Sequence, residues 1–328
     1  MKDEKCTTAG LGFPSSGEII YENFAGENMM KRILVIADQQ ENEQVAFFKA
    51  IEFAQKKNAT IHVAIFCYES RAVMEQYEIN QGELDLRAKL TGYKEQWWDQ
   101  FVQTHQSVPD ISQEVVWEKH IHSWVIKHCQ TSHYDLIIKT GNRSETPFYT
   151  PTDWLLFRES TVPVYVVAKK HFKPKKVILV ALDALAKSQE KQQLNKQLIE
   201  HALQLSVQTD AVLHCAYVIK IPTLLKDLDL IDNNAYIRKA TSKAKEKLGA
   251  LLEGFDISSE CVHIEHGEPW GALSNLIKKL HAQCLVVGSM GRSGITGKLI
   301  GNTAERIIHI ASTDLLVISP EVRPLQGR

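Results

Sequence analysis

From Met30 onward the chain alternates short aliphatic runs with longer stretches whose apolar residues recur every three or four positions. The first run, Ile33-Leu34-Val35-Ile36-Ala37, closes on Asp38 and predicts a strand. A helix over 41–57 follows, with Phe47, Phe48, Ile51 and Ala54 spaced for one buried face. The same reading predicts strands at 60–66, 114–117, 136–138 and 162–167, and helices at 81–105, 122–130 and 152–159. Strands separated by helical segments make βαβ units and a parallel sheet.

The order then restarts. Val177 to Leu182 repeats the first strand and ends on Asp183, 145 positions after Asp38. Helices at 189–205, 235–252 and 269–281 alternate with strands at 211–218, 259–264 and 284–287. A glycine-rich loop leads to a helix at 303–310 and a last strand at 315–319. The charged, proline-containing segment KKHFKPKK at 169–176 reads as a linker. The expected organisation is an α/β unit written twice, with domains at 30–170 and 175–321, each a five-stranded parallel sheet flanked by helices. Residues 1–29 lack periodicity and read as a flexible N-terminal extension.

Charge narrows the function classes. Lys and Arg total 38 against 39 Asp and Glu, a net −1, which excludes a protein that coats nucleic acid through a basic excess. No apolar run reaches the roughly 20 residues of a membrane helix, and the N-terminal stretch has no hydrophobic core of a secretory signal. The six cysteines stand singly, without a C-x-x-C pair, and read as free thiols of a cytoplasmic protein.

Candidate chemistry concentrates in VGSMGRSGITGKLIGNTAE, 287–305, which leaves an apolar strand and enters a helix. Gly288 and Gly291 bracket a turn whose amides can face an anion, and Gly301 precedes Asn302 and Thr303 at a helix N-terminus. Arg292 and Lys298 add positive charge. A Walker A loop fails because Arg292 stands where a glycine is needed, and no G-x-G-x-x-G follows either first strand.

Gly288-x2-Gly291-x9-Gly301 after a strand resembles the ATP-binding motif of the universal stress protein family, with Asn302 in place of its usual Ser or Thr. Thr150-Pro151-Thr152-Asp153-Trp154, followed by Leu155, Leu156 and Arg158, is similar to the tandem E subgroup of that family. The resemblance implies two adenine nucleotide alpha hydrolase-like domains and a stress-response role, regulatory rather than enzymatic beyond slow ATP hydrolysis. It implies ATP, with Mg, as cofactor in the second domain: Ala181 lining the adenine slot, Asp183 on the nucleoside, and Gly288, Gly291, Arg292, Gly301, Asn302 and Thr303 around the phosphates. Implied partners are the adenine nucleotide and a homo-oligomer or protein partner, with no nucleic acid and no membrane.

The first half departs from the motif. Matching Asp135–Ile138 to Cys284–Val287 puts Lys139 at the first glycine, Asn142 at the second and Tyr149 at the third, so this copy is expected to have lost the site while keeping Asp38 for structure. A nucleotide-free scaffold, or a small-molecule binder using Phe148, Tyr149 and Trp154, is the alternative. His120, His122 and His128, and His263 with His266, lack a carboxylate or cysteine at motif spacing, so no metal site is expected.

Overall fold

The computed structural model describes residues 30–55, 59–70, 83–105, 110–141, 152–168, 175–221, 233–289 and 313–320. These fall into two compact units, Met30–Lys169 and one that contains Lys170–Arg328.

The N-terminal unit runs β1 (Arg32–Ile36), α1 (Val45–Gln55), β2 (Thr60–Cys67), α2 (Glu83–Gln103), β3 (Ile111–Trp117), α3 (Ile121–Thr131), β4 (Leu136–Thr140), α4 (Thr152–Glu159) and β5 (Val164–Val167). Its strands are all parallel, in the order β3-β2-β1-β4-β5. Central β1 buries four consecutive residues, as a strand covered on both faces must. Phe47 of α1 meets Trp98 of α2 edge to face at 5.1 Å, and both are fully buried. Helix α1 begins at Val45 rather than 41, because Gln44 adopts φ 51° and turns its side chain back onto Asp38.

The C-terminal unit repeats the plan: β6 (Lys175–Ala181), α5 (Gln189–Thr209), β7 (Val212–Ile219), α6 (Asn233–Leu252), β8 (Val262–His266), α7 (Pro269–Leu280), β9 (Ala282–Gly288) and β10 (Asp314–Ile318). The strand order is β10-β9-β6-β7-β8, again all parallel. Helix α5 starts on the Ser188 side chain and ends at Asp210 in the left-handed region, φ 54°. Helix α7 opens on Pro269 and ends at His281, φ 52°.

Several boundaries differ from the sequence reading. Lys175 and Lys176, expected in the linker, belong to β6 as its two exposed first residues. Residues 259–261 form a single 3-10 turn before β8. The expected helix at 303–310 and the extension at 1–29 lie outside the described residues.

The register between the repeats also differs. Val35 pairs with Ile138, and its counterpart Val180, likewise three residues before the terminal Asp, pairs with Val286. On the other side Thr140 pairs with Val167 and Gly288 with Ile318. Thr140, not Lys139, therefore occupies the place of Gly288. The two apolar runs slide past each other by one residue without loss of hydrophobic match, which is why the sequence alone misplaced them.

Lys139 has a different role. Its ammonium and the Asp153 carboxylate of α4 form a buried ion pair, and the ammonium also donates to the Thr140 carbonyl at 2.6 Å. Five cysteines of the described residues are free, with Cys215, Cys261 and Cys284 buried. Burial pushes the Cys129 and Cys215 thiols up to about 12. Among the described residues no helix is long and apolar enough to cross a membrane.

Stranding one member of a buried pair costs about 3–5 kcal/mol. Lys139→Met should lower unfolding stability by that amount in urea titrations. Adding Asp153→Leu should return part of it; a double variant as unstable as the sum of the singles would show the pair to be uncoupled.

Candidate functional site

In a parallel sheet the crevice opens where the chain reverses its direction of strand addition. In the C-terminal unit that point lies between β6, which leads outward to β7, and β9, which leads outward to β10. The carboxyl ends of these two strands carry Ala181, Asp183 and Gly288.

Helix α5 fixes both ends. The Asp183 N–H donates to Asn195 Oδ1 at 3.0 Å, and Asn195 Nδ2 donates to the Asp183 carbonyl at 2.9 Å. The preceding residue, Leu194, covers Gly288: a Cβ there would stand 2.6 Å from Leu194 Cδ2 and 3.1 Å from its Cγ. The absence of a side chain at Gly288 is thus demanded by packing. The Asp183 carboxylate remains at the rim, 3.1 Å from Lys191 Nζ, with both side chains nearly half exposed. Tyr217 of β7 borders the same rim. Burial first, and the Asp183 charge second, raise its phenol above the ordinary tyrosine range.

Of the eight residues expected around a nucleotide, Ala181, Asp183 and Gly288 come together at this crevice. Gly291, Arg292, Gly301, Asn302 and Thr303 lie outside the described residues. Tyr217 was missed because nothing in its spacing ties it to Asp183; only the β6–β7 register, Ala181 opposite Ala216, does so.

The profile of the Universal stress protein family matches residues 29–168 and again 175–319. The chain belongs to the universal stress protein family. It is 28% identical over 311 residues to Universal stress protein E of Salmonella typhi, covering 89% of this chain and 95% of that one. It is 24% identical over 304 residues to Universal stress protein E homolog of Haemophilus influenzae, covering 88% and 97%. It shares its fold with a solved universal stress protein structure from Pseudomonas aeruginosa at TM-score 0.66, 23% identity and coverage of 89% and 94%. An Archaeoglobus fulgidus universal stress protein gives 0.59, 19%, and coverage of 89% and 97%.

Within this universal stress protein the N-terminal copy of the crevice is built differently. The carboxamide clamp persists: the Asp38 N–H donates to Gln44 Oε1 at 3.1 Å, and Gln44 Nε2 reaches the Asp38 carbonyl at 3.3 Å. But Thr140 now fills the glycine's place, and its hydroxyl donates to Asp38 Oδ2 at 2.5 Å while accepting the Ala46 N–H at 3.1 Å. Asp38 is therefore engaged inside the unit, in agreement with a structural role. Asn142, Phe148 and Tyr149 lie outside the described residues.

The histidines group otherwise than their spacing implied. His128 leaves His120 and His122 and joins His62 of β2 and Glu114 of β3. His263 pairs with His214 rather than His266, their ring nitrogens 2.8 Å apart. His266 instead meets Thr241 at 3.0 Å. Burial, with His263 alongside, lowers His214 to about 4, and burial among aromatic rings lowers His128 too.

Two outcomes follow from this geometry. Gly288→Ala should destabilise the protein by about 1–3 kcal/mol through overpacking. The same change should cost less in a Leu194→Ala background, as measured by thermal melting. His214 is neutral in the fold, so the unfolded chain takes up a proton first as the pH falls. Stability is complete above the ordinary histidine range and declines from about pH 7 to about pH 4, by up to about 3 kcal/mol. His214→Phe should flatten that slope when melts at about pH 7 and about pH 5 are compared; an unchanged slope would contradict it.

Proposed function

We propose that this universal stress protein binds ATP or a related adenine nucleotide at the strand-reversal crevice of its C-terminal unit, in a regulatory stress-response role. The observation that carries the reading is the contrast between two equivalent carboxylates. Asp38 is consumed by the Thr140 hydroxyl at 2.5 Å. Asp183 meets a half-exposed lysine at 3.1 Å, with Tyr217 bordering the same rim, and its backbone is clamped by Asn195. A nucleoside hydroxyl can take the place of that lysine at little cost, because an exposed pair contributes under about 1 kcal/mol.

Bare backbone at Gly288, followed by the further glycines and Asn302-Thr303 of the sequence motif, supports phosphate held by amides. An Asn in place of the hydroxyl residue keeps a donor through its amide. The role proposed is binding, with at most slow hydrolysis. A nucleotide-free scaffold draws its support from the N-terminal copy, whose equivalent aspartate is engaged by Thr140 of its own unit.

Calorimetric titration with ATP·Mg separates the two. The binding reading expects one saturable site, lost in Gly291→Val and weakened about tenfold or more in Asp183→Ala, the loss of roughly one charge-assisted hydrogen bond. No heat with the wild type, or equal heat with Gly291→Val, would establish the scaffold reading instead.

A further inference from the structure

A half-buried cluster between strands β2 and β3 of the N-terminal sheet and α3 is not used by the nucleotide reading. His62 Nε2 lies 2.9 Å from Glu114 Oε1, and His128 Nε2 lies 3.8 Å from the same oxygen. One donor atom from each of the three lies within 4.8 Å of the others, and among the described residues no other group of this kind does so. The three arrive from β2, β3 and α3, separated in sequence but joined by strand register: Ala64 pairs with Glu114, and His62 stands two residues before Ala64.

We propose that His62, Glu114 and His128 form a site for a divalent transition-metal ion of the zinc class. A tetrahedral zinc with ligand bonds of about 2.0–2.1 Å keeps its donor atoms about 3.3–3.4 Å apart. The two distances to Glu114 bracket that spacing, so an ion enters by drawing one ring in and letting the other back. Two imidazoles and one carboxylate are a zinc donor set, and the fourth position falls to water.

The surroundings orient the ligands. Ser112 Oγ lies 2.8 Å from His62 Nδ1, which engages that nitrogen and leaves Nε2 for the ion. The His128 ring is stacked on Trp124 at 4.3 Å and 12°, and on His62 at 5.6 Å and 13°. The Tyr134 hydroxyl, 2.9 Å from His128 Nε2, occupies the nitrogen that the ion would take and gives it up when the ion binds. Arg32 lies over the Tyr134 ring at 4.7 Å, a nearby positive charge. That charge opposes every divalent cation alike; two imidazole nitrogens with a single carboxylate are what favour the zinc class over calcium or magnesium.

The second repeat supplies a built-in contrast. By strand register the places of His62 and Glu114 are taken there by His214 and His263, whose nitrogens are hydrogen-bonded to each other. The carboxylate is gone, and the pair is closed on itself.

The test uses the full chain with zinc chloride in competition with a chromophoric chelator, and cobalt(II) as a spectroscopic substitute. One ion per chain is expected, with a tetrahedral cobalt spectrum free of thiolate charge transfer. Ser112→Ala should weaken affinity about tenfold or more. His62→Gln, Glu114→Gln and His128→Gln should weaken it further, and His214→Gln should leave it unchanged. Zinc should also protect His62 and His128 of the wild type from diethylpyrocarbonate, a readout that needs no variant to fold. No stoichiometric uptake, a thiolate band, unprotected histidines, or ligand variants with wild-type affinity would each overturn the proposal and leave a hydrogen-bonded cluster only.

Discussion

In each unit the end of the first strand is held by a side-chain carboxamide that bonds both the N–H and the carbonyl of the terminal aspartate. Gln44 does this from the residue before α1, and Asn195 from the second turn of α5. Leaving those two backbone groups buried and unmet would cost about 1–3 kcal/mol each. The clamp therefore fixes where the helix lies on the sheet, and the helix decides what can stand beside it. Leu194 follows from Asn195, and bare backbone at Gly288 follows from Leu194.

The clamp is shared, yet the two copies use it to opposite ends. In the C-terminal unit it presents a carboxylate at an open rim. In the N-terminal unit a threonine placed where the glycine stands turns the carboxylate inward and ties it to the first turn of α1. A buried lysine next to that threonine then binds the helix that follows, through Asp153. The edge strands diverge in parallel, with a histidine–carboxylate pair in one copy and a histidine–histidine pair in the other.

The duplication, the alternation of strands and helices and the terminal aspartates were legible because aliphatic runs of a parallel sheet have no polar positions to confuse them. The residue range of α4 was read directly, since Glu159 ends it before the Ser160–Pro163 turn. The one-residue register of β4 against β9 was not legible, because Leu136–Ile138 and Cys284–Val287 match equally well in either frame. The start of α1 was missed for a related reason: Gln44 looks like any polar helix residue, and only its left-handed backbone and its bond to Asp38 set it apart. The partners of His128 come from strands 66 and 14 positions away in sequence, and no local spacing can signal such a meeting. The motif's glycine at 288 was legible, and the fold adds a packing reason for it that no spacing could show: a Cβ there would meet Leu194.

The buried thiols have a consequence for how the protein meets oxidants. A thiol at about 12 holds fewer than about one molecule in ten thousand as thiolate at neutral pH, and the thiolate is the species that attacks peroxides and disulfides. Cys129 and Cys215 are in that condition, and burial raises Cys67 as well. These sulfurs serve as small apolar packing groups and are chemically quiet ones. Cys129 and Cys215 are thereby slow to be cross-linked or derivatised, and the packing around them is spared that chemistry.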